Sequence, residues 1–238
     1  MTDFTVKLAG LKIAVSANFE TTERFCKKYI TVDSDTDFAV SATREEIAAA
    51  REEDPHSVSE NYAETTCIYR AIAERLPHYD RTVFHGAAIT YKDRAFLFTA
   101  PSGTGKSTHI KLWREHIGQD VDIVNGDKPI LHMTEDGTTV FGTPWSGKEN
   151  WNKDRSAPLS AICIVRQAKE NRIERISGGD ALKAIMKQIY LPRDKAAFMK
   201  TIDLVDRLLR KTDVYVLDCD ISKEAVKTSF EAMTGEKM

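Results

Sequence analysis

The segment that most constrains this chain is a glycine-rich loop that follows a short apolar stretch and precedes a helical pattern. The apolar stretch is Phe96-Leu97-Phe98, and the helical pattern begins near His109. Between them lies Thr99-Ala100-Pro101-Ser102-Gly103-Thr104-Gly105-Lys106-Ser107-Thr108. A strand, a loop of this composition and a helix, in this order, form a phosphate-binding loop. The sequence therefore predicts an α/β fold built around a phosphate site.

Each residue type in this loop has a physical role beside a phosphate. Gly103 and Gly105 let the backbone turn sharply and bring bare N–H groups close to phosphate oxygens, and the following helix N-terminus adds partial positive charge. Lys106 can reach the β- and γ-phosphates, and the Ser107 hydroxyl can bind Mg²⁺. The usual pattern begins with Gly where this chain has Ala100, and the alternative is a glycine-rich turn that happens to precede a lysine. We expect nucleotide contacts from Ser102, Gly103, Thr104, Gly105, Lys106, Ser107 and Thr108.

Composition limits the classes of function. The chain has 238 residues and a formal net charge of −2, so general affinity for nucleic acids or membrane surfaces is not expected. Its length suits one α/β domain, alone or with a small addition. No apolar run is long enough to span a bilayer, and the N-terminus lacks signal-peptide features. The scattered cysteines (Cys26, Cys67, Cys163 and Cys219) are typical of buried thiols in a reducing compartment, so a cytoplasmic protein is expected.

The first eighty residues predict a small α+β layer. Alternating residues on either side of Gly10 predict two strands within Thr5–Ala17, and Asp37–Ala42 predicts another strand. A short helix is expected over Thr22–Ile30. A helix that Thr43 and Glu46 would cap should end at Asp54-Pro55, and a longer helix over Ser59–Leu76 should carry Tyr62, Thr66, Tyr69 and Ala73 on one face. We interpret residues 1–80 as an accessory layer packed on a catalytic core of residues 81–238.

The strand before the phosphate loop should run antiparallel to the loop's own strand. Thr82–Thr90 reads as an apolar strand, and only the turn Tyr91–Arg94 separates it from the strand at Ala95–Thr99. A parallel pair would need a crossover of about a dozen residues. The sequence therefore predicts a mixed sheet.

Downstream of the loop, an acidic residue follows an apolar strand. Val121–Val124 predicts the strand, and Asp127 comes just after it, where a magnesium-directed carboxylate belongs; the alternative is a turn-capping aspartate. Later segments predict a hairpin over Pro129–Gly142, a Trp-rich loop over Gly142–Trp151, a strand at Ala157–Val165, helices at Asp180–Tyr190 and Arg193–Leu209, a strand at Val214–Leu217 and a helix at Ser222–Met233.

Several further side chains are open to two interpretations. Lys148 and Arg155 could contact phosphate or substrate, or could simply be solvated. Trp145 and Trp151 could cover a pocket or pack in the core. His85 lies in an apolar stretch, where a hydrogen-bonded core histidine is the simpler interpretation. The remaining histidines form no metal-ligand pattern: His56, His78, His109, His116 and His132.

Three features together resemble the catalytic domain of HPr kinase/phosphorylase. They are the antiparallel hairpin into the phosphate loop, the stretch Phe84-His85-Gly86, and Ile123-Val124-Asn125-Gly126-Asp127. The resemblance covers roughly residues 82–233, and this family shares its fold with ATP-dependent phosphoenolpyruvate carboxykinase. Smaller HPr-kinase-like proteins of bacteria, some of which phosphorylate serine, free or in a modified peptide, are more similar still at residues 142–148 and 157–161.

The resemblance implies a phosphoenolpyruvate carboxykinase-like phosphate-loop fold with a mixed sheet, to which this chain adds the N-terminal α+β layer. It implies that Lys106 and Ser107 hold phosphates and Mg²⁺, that His85 assists a catalytic carboxylate, and that Asp127 is one of two adjacent acids. The chain has Gly126 in place of the other acid. Asp127 must then perform the roles of both acids, or the chain lacks the catalytic base. The C-terminal segment with which HPr kinase assembles and dephosphorylates its target is not evident, so the resemblance does not extend to phosphorylase activity or to HPr as substrate.

The leading hypothesis is an ATP- and Mg²⁺-dependent kinase that transfers the γ-phosphoryl group to a hydroxyl of serine in a small molecule, peptide or protein. Asp127, His85 and Lys106 would be its catalytic residues, with Ser107 and Asp127 on the metal. Lys148 and Arg155 are candidate substrate contacts. The alternative is a non-catalytic nucleotide-binding module in regulation or assembly, which Gly126 favours; assembly as a homo-oligomer is compatible with either. A carboxykinase is disfavoured because the chain is too short for an oxaloacetate-binding lobe.

Overall fold

The computed structural model describes residues 1–53, 59–101 and 103–238, which form two β-sheets with helices packed on them. The smaller sheet is N-terminal and has the strand order β3-β1-β2-β4. Its strands and helices are β1 Thr2–Leu8, β2 Leu11–Ala17, α1 Glu20–Cys26, β3 Ile30–Thr31, β4 Phe38–Ser41, α2 Arg44–Glu53 and α3 Glu60–Arg75.

The N-terminal elements follow the predicted pattern except at the helix predicted over Thr22–Ile30. That helix, α1, ends at Cys26, and Ile30 instead begins β3, which pairs with β1. The Thr43 amide donates to the Glu46 carboxylate at 2.8 Å, and the Glu46 amide donates to the Thr43 hydroxyl at 3.1 Å, which is the predicted capping box of α2. Ser59 caps α3 in the same way by accepting from the Tyr62 amide at 3.3 Å. The predicted stop at Asp54-Pro55, like His56, lies outside the described residues.

The larger sheet carries the phosphate-loop strand. Its main path has the order β5-β9-β10-β11-β7-β6-β8, and β13 pairs with β11 and with β12. The strands are β5 Arg81–Val83, β6 Ala87–Tyr91, β7 Arg94–Thr99, β8 Val121–Asn125, β9 Ile130–Met133, β10 Thr138–Phe141, β11 Ser156–Gln167, β12 Arg172–Ile176 and β13 Asp213–Cys219. The helices packed on it are α4 Lys106–Ile117, α5 Gly178–Met186, α6 Lys195–Lys211 and α7 Lys223–Thr234.

The single strand predicted over Thr82–Thr90 is wrong, because the chain forms two strands there. β5 pairs with β9, whereas β6 pairs with β7 and β8. Gly86 lies at the break, where a Cβ atom would approach the Phe98 carbonyl oxygen to 2.9 Å. Its amide donates instead to the Asp127 carbonyl at 2.8 Å. Both short strands are buried, so apolar residues continue across the break between them. Periodicity alone therefore does not reveal where the first strand ends.

The predicted antiparallel pairing of the phosphate-loop strand is confirmed. β6 pairs antiparallel with β7 from Ala87–Phe98 to Tyr91–Arg94, and the sheet is mixed because β7 pairs in parallel with β11. β6 is also antiparallel to β8. The C-terminal ends of β7 and β8 and the N-terminal end of β6 therefore meet at the same edge of the sheet.

The faces of β7 alternate between two helical layers, as expected for a strand covered on both sides. Phe96 and Phe98 belong to the apolar cluster that includes Trp113 of α4 and Phe230 of α7. Leu97 belongs to the cluster on the other face, with residues of α5 and α6. The strand lies rigidly between these layers, and the phosphate loop leaves it at the shared edge.

Besides the two-residue β3, the strand β12 was not predicted. β12 has the sequence Arg-Ile-Glu-Arg-Ile and no buried residue, so its apolar signal is weak. It pairs antiparallel with β13 along its whole length. The pairing with β13, rather than burial, stabilises this segment as a strand.

Residues 1–80 share a buried cluster with the rest of the chain. The cluster runs from Val6 to Leu76 and also includes Val83, Ile130 and Trp145. The Tyr69 hydroxyl donates to the Lys128 carbonyl at 2.7 Å, and the Trp145 indole N–H donates to the Thr65 carbonyl at 2.9 Å. These contacts are made by α3, and they bring it beside the segment that follows β8.

The four cysteines are buried, as the sequence predicts. Cys26, Cys67, Cys163 and Cys219 are buried and free. Within the described parts of the chain, every helix is too short or too polar to cross a lipid bilayer.

Candidate functional site

The phosphate loop has the backbone conformation that its glycines were expected to allow. Gly103 and Gly105 have φ angles of +78° and +98°, which residues with a Cβ atom rarely adopt. No atom lies within 4 Å of a Cβ placed at either glycine, so the loop faces open space. Gly105 is the N-cap of α4, and because glycine has no side chain it provides no side-chain cap. The first amides of α4 therefore have no side-chain cap from Gly105. Ser102, which was also predicted to contact nucleotide, lies outside the described residues.

Lys106 contacts Asp127. Its ammonium nitrogen is 3.0 Å from Asp127 Oδ1, and the two side chains are only 14% and 21% exposed. Lys106 begins α4 at the end of β7, and Asp127 follows the end of β8, so the shared sheet edge brings them together. The sequence predicted that both residues lie near the phosphates, and in the structure their side chains contact each other.

His85 and Lys128 complete the cluster around this carboxylate. His85 Nε2 is 3.4 Å from Asp127 Oδ1, and Lys128 Nζ is 3.3 Å from Oδ2. The His85 side chain is 48% exposed, so it is not a core histidine. Its backbone is held by a hydrogen bond from its amide to the Gln188 carbonyl at 2.7 Å. Lys128 was not singled out from the sequence, although it directly follows Asp127.

The cluster holds Asp127 ionised. Burial alone would raise the pKa of Asp127. The contact with His85 and the charges of Lys106 and Lys128 outweigh that effect and hold the pKa well below its usual range. Asp127 is therefore a carboxylate at any physiological pH, which suits binding of a cation.

Asn125 fixes the turn that presents Asp127. Its side-chain oxygen accepts from the amides of Asp127 at 2.9 Å and Lys128 at 2.7 Å. Its side-chain NH₂ donates to the Thr143 carbonyl at 3.0 Å. Asn125 is fully buried, so these bonds satisfy a side chain that water cannot reach.

Gly126 leaves no room for a second acid. A Cβ atom at this position would lie 2.6 Å from the Ser146 carbonyl oxygen. The Gly126 amide donates to the Trp151 carbonyl at 2.9 Å, which fixes the close approach. The Trp-rich loop thus occupies the space that a side chain at residue 126 would need.

A cavity of about 500 Å³ opens beside His85 and Asp127. One wall is the face of α3 that the sequence marked with Tyr62, Thr66, Tyr69 and Ala73. The opposite side comes from the Trp-rich loop and from the segment after α5. The sequence predicted which residues share this face of α3. It did not predict which surface the face packs against, because the local pattern carries no information about distant segments. Other lining residues include Phe25, Arg70, Lys128, Trp145, Lys187, Gln188 and Tyr190.

Trp145 both packs and lines this cavity. Its ring stacks on Tyr69 with centroids 4.0 Å apart and planes 7° apart, and the side chain is 7% exposed. Trp151 lies elsewhere, under the Lys111 ammonium of α4, which is 5.2 Å from its ring centroid. Trp145 therefore packs in the core and also lines the cavity, so both interpretations of this side chain apply.

The two candidate substrate cations lie in different places. Arg155 is not brought to Asp127: its guanidinium is 3.2 Å from Asp122 Oδ2, near the opposite end of β8. Lys148 is exposed and follows Gly147, where a Cβ atom would lie 3.1 Å from the Asp127 Cβ. The loop that carries Lys148 therefore borders the site, whereas Arg155 belongs to an ion-pair cluster with Asp122.

The site has the donors for a partly hydrated Mg²⁺ ion but not for a metal held by protein alone. Among the described residues, no group of three or more His, Cys, Asp or Glu side chains could hold a metal ion. Mg²⁺ in phosphate-transfer sites uses one or two carboxylates, phosphate oxygens and water. The ionised Asp127 and the Ser107 hydroxyl fit that limited set.

A second cavity of about 390 Å³ borders the phosphate loop itself. It is lined by Gly103, Thr104, Gly105 and Thr108, and by the segments that follow β11 and β13. The described lining of the 500 Å³ cavity includes Asp127 but no residue of the phosphate loop.

Comparison with known proteins gives only a weak likeness. No family model matches the chain, and no curated protein matches it. Among solved structures, it is similar to the Hpr(Ser) kinase/phosphatase from Coxiella burnetii, at 10% sequence identity and a TM-score of 0.28. The alignment covers 52% of this chain and 93% of that chain. The mixed α/β architecture is compatible with such a fold, but a likeness this weak does not define the fold or the activity.

Proposed function

We propose that this chain is a kinase that uses ATP and Mg²⁺ to phosphorylate a hydroxyl group. One observation carries the proposal: Lys106 at the end of the phosphate loop contacts Asp127, and His85 contacts the same carboxylate beside an open cavity. Phosphoryl transfer needs a phosphate cradle, a cation-binding carboxylate and access for an acceptor. This edge of the sheet supplies all three.

The proposed reaction is an in-line transfer. The amides of the phosphate loop and Lys106 bind the β- and γ-phosphates and stabilise the charge that develops on them. The acceptor oxygen enters from the 500 Å³ cavity and bonds to the γ-phosphorus, while the bond from phosphorus to the β–γ bridging oxygen breaks. ADP leaves with that oxygen, and the acceptor's proton passes to Asp127.

The low pKa of Asp127 defines what this carboxylate can do. A strongly ionised carboxylate is a weak base, so Asp127 mainly orients the acceptor hydroxyl and a cation, and it receives the proton late. A loose phosphoryl-transfer transition state requires little base assistance. A triphosphate also draws the Lys106 ammonium toward its own oxygens, which removes one of the charges that lower the pKa of Asp127.

Mg²⁺, when bound, neutralises charge on the β- and γ-phosphates. Ser107 and Asp127 would hold it with phosphate oxygens and water. Because Gly126 excludes a second acid, the chain relies on a single carboxylate for this task.

The activity is tested with ATP labelled at the γ-phosphate and a panel of hydroxyl acceptors that includes serine and serine peptides. We expect transfer by the wild type and no detectable transfer by Lys106→Ala, together with strongly weakened ATP binding in calorimetry. Lys111→Ala on the same helix is the matched control, because its ammonium contacts Trp151 instead. Wild-type ATP affinity in Lys106→Ala would contradict the assignment of the phosphate loop.

A non-catalytic nucleotide-binding module is the second candidate, and the exclusion of an acid at residue 126 favours it. Such a module would bind ATP with Lys106 but would transfer phosphate to no acceptor. Single-turnover experiments separate the two, because a kinase consumes bound ATP in an acceptor-dependent manner.

A further inference from the structure

We propose that the 500 Å³ cavity beside His85 and Asp127 binds a small amphipathic anion that has a flat apolar body, a carboxylate and the accepting hydroxyl. The binding of such a molecule is inferred from the cavity alone, and its role as phosphate acceptor rests on the proposed kinase function. The proposal excludes free serine as the preferred ligand.

The walls of the cavity are aromatic. Tyr69 and Trp145 form a stacked pair, and Phe25 meets Trp145 edge to face at 5.6 Å between ring centroids. Tyr62 adds a fourth ring, and it is 53% exposed although it lies on the cavity-facing side of α3. Tyr62 and Phe25 are the two exposed rings and can offer apolar surface to a ligand with a flat body, whereas Tyr69 and Trp145 are almost fully buried in the wall.

The charges of the cavity favour an anion. Among its described lining residues, Arg70, Lys128 and Lys187 are cationic and Asp127 is the one carboxylate. Asp127 is already paired with Lys106 and Lys128, so its charge is compensated within the cluster. Arg70 also contacts Glu53, at 3.3 Å, but both of those groups are solvent-exposed. A ligand carboxylate entering the cavity therefore meets net positive charge.

Asp127 and Lys128 form an adjacent polar pair in the cavity lining, and this pair can orient the ligand. Lys128 Nζ is 3.3 Å from Asp127 Oδ2, so a carboxylate next to a hydroxyl can contact Lys128 while the hydroxyl contacts Asp127. The apolar body then points away from the phosphate loop, toward α3 and Trp145. Serine has the carboxylate and the hydroxyl, but its single CH₂ leaves the aromatic wall uncovered.

The volume supports a ligand of small-molecule size. Concave sites for small molecules span about 300–1,000 Å³, and this cavity of about 500 Å³ falls within that range. Its lining combines residues from both sides of the 80/81 boundary. The cavity is a concave site and not the flat surface that a folded partner would need.

The first test measures binding by calorimetry with 3-phenyllactate and indole-3-lactate, each of which has a ring, a carboxylate and a hydroxyl. Serine and the blocked dipeptide amide N-acetyl-Ser-Trp-NH₂ are the comparison ligands. We expect the two aromatic hydroxy acids to bind at least about tenfold more tightly than serine, since an aromatic contact and buried apolar area add to affinity. Tighter binding of the uncharged dipeptide than of either acid would overturn the choice of a small anion in favour of a peptide.

Two pairs of variants locate the binding site. Tyr62→Ala should weaken binding of indole-3-lactate about three- to tenfold, as expected for one aromatic contact, and Met199→Ala is the control because it is an exposed apolar residue on α6. Lys187→Gln should weaken binding about two- to fivefold at low salt, and the exposed Lys183 on α5 gives the control Lys183→Gln.

The outcomes distinguish this proposal from the kinase assignment. ATP affinity should be unchanged in Tyr62→Ala and Lys187→Gln, because neither residue borders the phosphate loop. If neither aromatic acid binds more tightly than serine, or if Tyr62→Ala binds as the wild type does, the proposed ligand class is wrong even where ATP binding depends on Lys106. If the acids bind but accept no phosphate, the site stands and the kinase function fails.

Discussion

Asp127 is the residue on which the proposed chemistry depends most. Its removal should reduce transfer more than nucleotide binding, because loop amides and Lys106 hold the phosphates without it. We expect Asp127→Asn to lower the rate of phosphoryl transfer by about two orders of magnitude or more, with a much smaller change in ATP affinity. Rates under single-turnover conditions and calorimetric affinities measure the two effects separately.

Asp122→Asn is the matched control for this experiment. Asp122 is also an ion-paired carboxylate on the β8 segment, but it contacts Lys153 and Arg155 away from the phosphate loop. It should transfer phosphate at the wild-type rate. An Asp127→Asn variant that is as fast as Asp122→Asn would show that Asp127 has no catalytic role.

The same carboxylate predicts a pH effect on stability. The folded pKa of Asp127 lies below its unfolded value of about 3.9. Its ion pairs therefore stabilise the fold at pH values above the unfolded pKa, and that contribution is lost as pH falls toward the folded pKa. Urea unfolding at pH 5 and pH 3 should show a smaller loss of stability in Asp127→Asn than in the wild type. An equal loss in both proteins would contradict the ion-pair cluster.

Gly126 gives a test of packing at a single residue. A methyl group at this position would meet the Ser146 carbonyl oxygen, so Gly126→Ala should lower the free energy of unfolding by about 1–3 kcal/mol, the usual cost of overpacking. Gly103→Ala meets no atom within 4 Å and is the steric control, although its positive φ adds backbone strain. Chemical denaturation measures both, and a Gly126→Ala protein as stable as the wild type would show that the Trp-rich loop yields.

The helix α4 is attached to α7 by a buried polar group. The Ser229 hydroxyl donates to a carbonyl of its own helix and accepts from Trp113 Nε1 at 2.8 Å. It has one proton, so His109 Nε2, 3.0 Å away, must be the donor in their contact. Burial lowers the pKa of His109 to about 4, so this side chain is neutral at pH 7.

This histidine makes the attachment of α4 sensitive to acid. Its folded pKa of about 4 lies below the ordinary histidine pKa of about 6.5, so its contribution to stability is complete above pH 6.5 and is lost as pH falls toward 4. We expect the wild type to lose more stability between pH 7 and pH 5 than His109→Gln does. The half-buried His116 on the same helix gives the control, and His116→Gln should follow the wild type.

Prediction from sequence succeeded where local chemistry decides the structure. Glycines with positive φ, the Thr43–Glu46 capping box and the short turn at Tyr91–Arg94 are determined by nearby residues. The break at Gly86 and the weak edge strand β12 are determined by distant ones, through the Phe98 carbonyl and through pairing with β13.

The candidate site shows the same difference between features that nearby residues determine and features that distant residues determine. Lys106 and Asp127 were predicted from their positions in the sequence and His85 from the family resemblance, and at the sheet edge Asp127 contacts both Lys106 and His85. It did not reveal that Lys128 pairs with Asp127, that Arg155 pairs with Asp122, or that α3 borders the cavity. Each of those facts depends on which elements become neighbours, and residue spacing along the chain does not contain that information.

The whole chain should unfold as one unit, although residues 1–80 form their own sheet. One apolar cluster includes residues from both parts, and α3 is hydrogen-bonded to the Lys128 and Trp145 segments. We expect far-UV circular dichroism and tryptophan fluorescence to report the same denaturation midpoint. All three tryptophans lie beyond residue 80, so an earlier circular-dichroism transition would show that the N-terminal layer unfolds alone.

The twelve-residue strand β11 passes through the whole of the larger sheet. Residues 156–158 pair with β10, and residues 161–167 pair with β13, while β7 lies along its other side. The β9–β10 hairpin and the phosphate-loop strand are thus joined through one strand, whose register shifts between Leu159 and Ala161. For the proposed nucleotide binding, we expect any closure to come from the Trp-rich loop, which touches both Gly126 and the cavity.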